Sequence, residues 1–416
     1  MSADTVCRLL PSPFTPPSAR VLRLGYVPLT DCAPLVVAAG LGLFQLHGVA
    51  IELTPLPAWS PLRDRVAFGV LDGAQMLSPM PLAAALGLGG VQRDMAVVAT
   101  LGMNGNTVVF GNALMREIAE ADPARAGCLP VLPSSFAAAL AARAKLGRPV
   151  PILAVVFALS SHNYLLRYWL RSGGIDPDRD VRLVVVPPAD VPDQLADGTI
   201  EGFCAGEPWG SRAVDLRVGQ IALSSADIWQ NHPEKVLAFS ADTLAADRPR
   251  VVATVAAIIE ATRWLAEPEN ADEATHLLRA AGLADVPESV VALGLRRQIV
   301  MAPDEAVSPV PPMFRGDAAT FPFVSHGRWW LGQMAAWQHV AGDVDPALPA
   351  RIWQPAVWRE AAALVGEPAP LADSKTEGGH AAPWLLPAQP APVTMPADLF
   401  IGSAVFPSAF AEDPTP

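Results

Sequence analysis

Short strand-like segments alternate with helix-like segments along the first 240 residues, and this alternation constrains the fold more than any other feature of the sequence. Residues 21–27 and 49–56 alternate apolar and polar side chains, which is typical of half-buried strands. Residues 32–44 form an apolar helix-like stretch, and residues 61–71 carry apolar side chains at helical spacing. Strands that alternate with helices favour a largely parallel sheet of the α/β class.

A second run of the same kind follows. Residues 152–158 are predicted to be a buried strand, residues 162–172 a helix that ends at two glycines, and residues 181–186 another strand. Residues 219–224 and 236–240 are predicted to be strands that return to the first sheet. The sequence thus predicts two lobes, with the first lobe formed by residues 21–110 and 219–365 and the second lobe by residues 111–218.

The remaining segments differ from this pattern. From Pro249 onward the chain is predicted to be mainly helical, and this helical part belongs to the return of the first lobe. Residues 366–416 are rich in Pro and Ala, and we expect them to be an extended tail that wraps a surface. Residues 1–20 are predicted to be a flexible N-terminal segment.

The charge balance excludes some classes of function. The net charge is −12, and no run of Lys and Arg offsets it, so direct binding to nucleic acid is not expected. An anionic ligand must then be held by a few local donors, because the overall field repels it. No stretch approaches 18 uninterrupted apolar residues, so no membrane span is expected. Pro11, Pro13, Pro16 and Pro17 interrupt any apolar export signal, which favours a cytoplasmic location.

Several long segments of the sequence resemble the nitrate-binding protein family. The family includes the substrate-binding components of nitrate and bicarbonate ABC importers and a cytoplasmic nitrate/nitrite sensor, NasS. The segments that carry the resemblance are GYVPLTDCAPLVVAAGLGLF, AWSPLRDRVAFGVLDGAQMLSPMPLA, NGNTVVFGN, HNYLLRYWLRSGGIDP, EGFCAGEPWGSRAV and NHPEKVLAF.

This resemblance implies a two-lobed, periplasmic-binding-protein-like fold of type II, with the ligand in a cleft between the lobes. It also implies that the protein binds nitrate or nitrite and is not an enzyme. Without a recognisable export signal, the chain is most similar to the sensor branch. In that branch the sensor without ligand holds an RNA-binding antiterminator of the NasT type, and nitrate or nitrite releases it. The alternative is the substrate-binding component of a nitrate or bicarbonate importer.

Three side chains are candidates to contact the anion. Trp59 lies between a predicted strand and a helix, where its ring can stack on a planar anion and its indole N–H can donate. His162 begins a helix after two serines, so that its ring and nearby amides converge. Lys235 precedes an apolar strand and can supply the positive charge. Read without the resemblance, each residue also fits a packing, capping or surface role, and the matched segments favour ligand contact.

Two further candidates come from loops at the ends of strands. Gly206 lets the backbone approach a ligand closely, and its N–H can donate. Asn106 offers a side-chain amide where the importers tend to carry Gln. Glu207 is expected to orient Lys235 or His162, since a carboxylate repels an anion. For the same reason Asp31 is expected to cap a helix.

Two competing interpretations involve other chemistry. Bicarbonate is nearly isosteric with nitrate but carries a proton, so its site needs an acceptor or a metal. No dense acidic cluster is visible in the sequence, which favours nitrate. The synthases of the thiamine pyrimidine precursor share the two-lobed fold, but they need a cysteine-rich motif that this chain lacks. No Walker A, G-x-S-x-G or HExxH motif is present, so we expect no cofactor, no metal and no catalysis.

Overall fold

The computed structural model describes residues 20–340 and 344–407 of the 416-residue chain. The predicted flexible segment 1–20 therefore lies outside the described residues except for Arg20. Ten strands build the two main sheets: β1 (Leu22–Tyr26), β2 (Ile51–Pro55), β3 (Gly73–Leu77), β4 (Met95–Thr100), β5 (Asn106–Gly111), β6 (Ile152–Val155), β7 (Arg182–Val185), β8 (Gly202–Gly206), β9 (Gly219–Ser224) and β10 (Lys235–Ser240).

The two sheets have the same plan. The first sheet has the strand order β2-β1-β3-β10-β4, and the second has the order β7-β6-β8-β5-β9. β1 is parallel to β2 and β3, and β6 is parallel to β7 and β8. The fourth strand of each sheet, β10 or β5, is antiparallel to both its neighbours. The starts of β5 and β10 therefore lie at the same edge as the carboxyl ends of the parallel strands, where α/β sheets bind ligands.

The prediction that residues 219–224 return to the first sheet is wrong. They form β9, which pairs with β5 in the second sheet, with Thr107 opposite Ser224. Five of the six residues of β5 lie within residues 21–110, the range predicted for the first lobe, yet this strand hydrogen-bonds in the second sheet. The apolar pattern of a strand identifies a buried strand but does not encode the strand with which it pairs. Only β10 returns to the first sheet.

Helices cover the faces of both sheets. The longest, Arg248–Ala266, has Pro249 in its first turn, and it packs on the helices Ala33–Gly40 and Pro355–Val365. The helices are α1 (Ala33–Gly40), α2 (Leu43–Leu46), α3 (Trp59–Ala67), α4 (Met80–Ala85), α5 (Asn112–Ala121), α6 (Pro133–Lys145), α7 (Ser161–Ser172), α8 (Val191–Ala196), α9 (Trp209–Asp215), α10 (Ala241–Ala246), α11 (Arg248–Ala266), α12 (Ala271–Leu278), α13 (Glu288–Leu295), α14 (Val324–Ala336), α15 (Leu348–Ile352) and α16 (Pro355–Val365).

β3, β4 and β10 are buried along their whole length, as expected for strands with helices on both faces. None of the helices in the described part of the chain combines the length and the apolar content that crossing a bilayer requires.

The segment after α16 lies along the rest of the molecule. It contains strands of two or three residues: β13 (Ala369–Pro370), β14 (Trp384–Leu386), β15 (Ala388–Gln389) and β16 (Val393–Met395). Two other short strands, β11 (Gln298–Ile299) and β12 (Ser308–Pro309), precede α14. Phe400 stacks on Trp229 with ring centroids 4.5 Å apart, and Ile401 N donates to Ile228 O at 2.7 Å. These contacts join the C-terminal segment to the loop that leads into β10.

Candidate ligand-binding site

Lys235 is the charged centre of the site. It is the first residue of β10 and is fully buried, although Lys is rarely buried without partners. Its Nζ lies 2.7 Å from Asp31 Oδ2 and also pairs with Glu234 Oε2. The ammonium group is thus held between two carboxylates.

Asp31 reaches Lys235 from a short turn after β1. Gln75 of β3 donates to Asp31 Oδ1 at 2.5 Å and accepts from the Val27 amide at 2.9 Å, so the carboxylate is fixed to the first sheet. The prediction that Asp31 caps a helix is wrong. The N-cap of α1 is Cys32, which makes no side-chain capping bond. The ion pair with Lys235 stabilises the carboxylate instead.

Trp59 forms one wall of the site. It is the first residue of α3, it is 1% exposed, and Lys235 Nζ lies 5.4 Å from the centroid of its ring. Among the described residues, its indole N–H has no hydrogen-bond acceptor. The side chain therefore offers both an aromatic face and an unused donor next to the lysine.

The second lobe contributes Asn106 from β5 and Ser161 and His162 from the first turn of α7. Asn106, at the start of β5, donates through Nδ2 to Glu234 Oε1 at 2.8 Å, and the hydroxyl of Ser161 donates to the same oxygen. His162 Nδ1 lies 3.7 Å from that oxygen. The Ser160 hydroxyl accepts from the Asn163 amide and caps α7, which fixes the position of His162 in the first turn. Glu234 thus joins the two sheets.

Some polar atoms of these side chains have no partner in the described part of the chain. The two ring nitrogens of His162 and the Oδ1 atom of Asn106 make no hydrogen bond with any described residue. His162 is fully buried and Asn106 is 1% exposed. Buried polar atoms are normally paired, so unpaired ones beside a buried charge point to a polar ligand.

Gly206 closes the group. It is the last residue of β8 and pairs with Asn106 in the antiparallel register of β5 and β8. A Cβ atom at this position would lie 3.2 Å from Asp31 Oδ2 and 3.4 Å from Asn106 Oδ1. Any larger residue at this position would therefore press on side chains of both lobes. The next residue, Glu207, accepts at its carbonyl oxygen from the Thr30 amide at 2.8 Å, so the loops of both lobes touch here.

Glu207 does not orient Lys235 or His162, contrary to the expectation from sequence. Its carboxylate accepts from the Thr107 hydroxyl at 3.1 Å and from the Ser211 amide at 3.2 Å, and burial raises its pKa. Glu234, the residue beside Lys235, contacts both the lysine and the histidine side of the site. The signal for this role was present in the sequence, because a carboxylate next to a buried lysine is a natural partner for its charge.

The ionisation states follow from burial and neighbouring charges. Burial alone would raise the pKa of Glu234, but Lys235 and the donors around it hold that pKa well below its usual range. Burial raises the pKa of Asp31 to about 6, although Lys235 opposes the rise. The neighbouring carboxylates keep the pKa of Lys235 raised in spite of its burial. Burial lowers the pKa of His162 to about 3, so the imidazole is neutral at pH 7 and offers one N–H donor and one lone pair.

A second buried lysine has almost the same surroundings. Lys375 pairs with Glu377 and lies 3.3 Å from Asp398. The Ser325 hydroxyl donates to Glu377 Oε1 at 2.7 Å, and His326 Nε2 lies 3.5 Å from that oxygen. We call these five residues the Lys375 cluster. It joins the first turn of α14 to the C-terminal segment, and none of the sequence patterns predicted it.

Two α/β lobes that meet on a buried polar site define a two-lobed binding protein. The sequence profile of the NMT1-like family matches residues 15–279, which is more than half of the chain. The chain therefore belongs to the NMT1-like family.

Three relatives illustrate the similarity. The chain is 34% identical over 326 residues to the nitrate import ATP-binding protein NrtC of Synechocystis sp. PCC 6803, covering 77% of this chain but 46% of NrtC. It is 29% identical over 378 residues to the nitrate/nitrite binding protein NrtA of the same organism, covering 87% of this chain and 80% of NrtA. It is 29% identical over 370 residues to the bicarbonate-binding protein CmpA of Synechococcus sp. PCC 6301, covering 84% and 79%.

The crystal structure of the periplasmic nitrate-binding protein NrtA from Synechocystis PCC 6803 superposes with a TM-score of 0.80 and 26% identity, covering 94% of this chain and 96% of that one. This match confirms the predicted two-lobed, periplasmic-binding-protein-like fold. The relatives named here are binding proteins and components of transport systems. At the level of the family, they support the prediction that the protein is not an enzyme.

Proposed function

We propose that this protein reversibly binds a small planar oxyanion, nitrate or nitrite, between its two lobes. The observation that carries the proposal is the buried Lys235 together with the Trp59 N–H and the His162 ring, neither of which hydrogen-bonds to any residue that the structure describes. In this proposal the five residues predicted from sequence, Trp59, Asn106, His162, Gly206 and Lys235, form the ligand site.

The chemistry of the group suits such a ligand. Nitrate is flat, weakly hydrated for an anion, and able only to accept hydrogen bonds. Lys235 supplies charge, the Trp59 and His162 N–H groups supply direction, and the ring of Trp59 supplies a flat wall. The relatives named for nitrate and nitrite binding support this choice of ligand.

Bicarbonate is the second candidate, and a specific observation favours it. The sequence suggested no acidic cluster, but Asp31 and Glu234 converge on Lys235, so the site also offers acceptors. A bicarbonate O–H could donate to one of them. The relative CmpA, which is named for bicarbonate, is as similar to the chain as NrtA is.

Isothermal titration calorimetry tests the proposal directly. The protein is titrated with nitrate, nitrite, bicarbonate and chloride at one pH and one ionic strength. We expect saturable one-site binding of nitrate or nitrite and no binding of chloride, which has no planar shape to match the ring of Trp59. Saturable binding of bicarbonate alone would replace nitrate by the second candidate, and heats of simple dilution for all four salts would refute the proposal.

The biological role that we propose is sensing. In this proposal, ligand binding changes the surface at the mouth of the cleft and releases an RNA-binding antiterminator of the NasT type. The resemblance of the sequence segments to the sensor branch supports it. Because this chain has a net charge of −12, which disfavours contact with RNA phosphates, we assign RNA binding to the partner and not to this chain. The alternative is the substrate-binding component of a nitrate or bicarbonate importer, which the named relatives support.

Co-purification with such an antiterminator, with and without nitrate, separates these roles. A complex that forms without nitrate and dissociates with it supports the sensor. Because coupling between two ligands is reciprocal, the partner must then weaken nitrate binding by the same factor by which nitrate weakens partner binding. No complex, or a complex equally stable in both conditions, would favour the importer.

A further inference from the structure

The charges at Lys235 do not balance. One ammonium group stands between two carboxylates, so the group carries a net charge of −1 when Asp31, Glu234 and Lys235 are all ionised. An added anion that can only accept hydrogen bonds would face this excess at close range in a buried site, where charge interactions are strong. The site therefore needs a proton between one of its carboxylates and such an anion.

The two carboxylates are not equivalent. Glu234 accepts from Asn106 and Ser161 and pairs with Lys235, so its charge is satisfied by three donors. Asp31 is held by Gln75 through Oδ1 and by Lys235 through Oδ2. Its Oδ2 atom also lies 3.2 Å from where a Cβ atom at Gly206 would stand, at the contact between the two lobes. Asp31 is thus the carboxylate that a ligand at this contact would meet.

We propose that Asp31 determines which oxyanion the site accepts, because exactly one proton must lie between its Oδ2 atom and the ligand. This inference rests on the proposed function. Nitrate or nitrite brings no proton, so Asp31 takes one from solvent and donates its O–H to the ligand. Bicarbonate brings its own proton and donates it to the ionised Asp31. Nitrate binding is then coupled to proton uptake, and bicarbonate binding is not.

The surroundings of Asp31 single it out as the proton acceptor. Burial raises the pKa of its carboxyl to about 6, with Lys235 opposing and Glu234 adding to the rise, so protonation costs little near neutral pH. Burial keeps His162 neutral at pH 7, and the thiol of the adjacent Cys32 stays protonated because burial raises its pKa. The Glu207 carboxylate accepts from Thr107 and Ser211.

Calorimetry of nitrate binding in buffers with different ionisation enthalpies, such as phosphate and Tris, counts the protons taken up. At pH 7.5 we expect uptake of about one proton per nitrate, and a nitrate affinity that falls about tenfold per pH unit above that value. Bicarbonate, titrated in the same buffers, should show uptake near zero.

Asp31→Asn should abolish the proton uptake and flatten the pH profile of nitrate affinity. Asp398→Asn is the matched control, because Asp398 is as buried as Asp31 and pairs with another buried lysine, Lys375; this variant should leave the proton count unchanged. The number of protons taken up by the unmodified protein is measured without any variant. This measurement therefore tests the role of Asp31 even if Asp31→Asn fails to fold.

The outcomes separate the two proposals. Nitrate binding without proton uptake, or uptake that persists in Asp31→Asn, overturns the role of Asp31 and leaves the proposed function standing. Absence of nitrate binding in the unmodified protein contradicts the proposed function, and the inference falls with it.

Discussion

Asn106 and Glu234 join the two lobes through one hydrogen bond, in which Asn106 Nδ2 donates to Glu234 Oε1 over 2.8 Å. Asn106 begins the antiparallel strand of the second sheet, and Glu234 directly precedes the antiparallel strand of the first. The same carboxylate pairs with Lys235. One of the contacts between the lobes is therefore also a contact of the candidate site, so lobe closure and ligand binding share atoms.

Asn106→Ala should lower the free energy of unfolding by about 1.5–3 kcal/mol, the usual contribution of a hydrogen bond to a charged group. The measurement is urea unfolding without ligand. Asn112→Ala is the control, because Asn112 lies just beyond the other end of the same strand and donates to the neutral Arg217 carbonyl at 2.8 Å. That variant should lose about 1 kcal/mol or less. Equal losses in the two variants would contradict a charge-assisted bond between the lobes.

Trp59→Phe should remove most of the change in tryptophan fluorescence that nitrate causes. The chain has 11 Trp residues, but Trp59 combines a ring beside Lys235 with a buried, unpartnered N–H. A fluorescence titration of the variant and of the unmodified protein is the measurement. Trp384→Phe, in the C-terminal segment, is the control and should keep the full response. A response that survives in Trp59→Phe would place the reporter at another tryptophan.

The sequence was sufficient to predict the class of fold and the main donors of the site. Alternating apolar patterns identified the strands, and Trp59, His162 and Lys235 stood at strand ends, where ligands of α/β sheets bind. It was not sufficient to assign β9 to the second sheet, because a buried strand has the same apolar pattern whichever strand it pairs with. Pairing depends on the position of β5 between β8 and β9, which is a property of the whole fold.

The acidic part of the site was missed for a different reason. Asp31 was assigned to a helix cap because a carboxylate repels an anion, and this argument considers each residue alone. In the structure Asp31 and Glu234 pair with a buried lysine, and Ser161 and Gln75 position the carboxylates. Asp31 lies 204 residues from Lys235 in the sequence. Gln75 lies 44 residues from Asp31, and Ser161 lies 73 residues from Glu234, so no local pattern reveals these contacts.

The stability of the protein should fall on acidification, and His162 should contribute to the fall. Burial lowers its pKa from 6.5 to about 3, so the unfolded chain binds more protons than the folded one between these values. Its contribution to the free energy of unfolding is complete above pH 6.5 and is lost as the pH falls towards 3, at up to about 1.4 kcal/mol per pH unit. Asp31 has the opposite effect on stability between pH 6 and 3.8. Its pKa is raised, so the folded chain binds more protons than the unfolded chain in this range, and acidification stabilises the fold.

Comparison of variants isolates the histidine from this background. His162→Gln should flatten the decline of the unfolding free energy between pH 6.5 and pH 4.5, measured by urea unfolding at several pH values. His276→Gln, at an exposed position of α12, should leave the slope unchanged. A slope that is the same in His162→Gln and in the unmodified protein would show that His162 is not buried in its neutral form.

Lys235→Met should weaken nitrate binding by about 2–5 kcal/mol, because the anion loses its charge-assisted partner. At tenfold per 1.4 kcal/mol, the dissociation constant should rise about 30-fold or more. The variant should also unfold more easily, since Asp31 and Glu234 are left buried without their cation.

The control is Lys375→Met, which makes the same change in the Lys375 cluster and leaves Glu377 and Asp398 without their cation. We expect comparable losses of stability in the two variants but an unchanged nitrate affinity in Lys375→Met, measured by calorimetry below the melting transition of both. An equal loss of affinity in both variants would mean that Lys235 acts through folding and not through contact with the ligand.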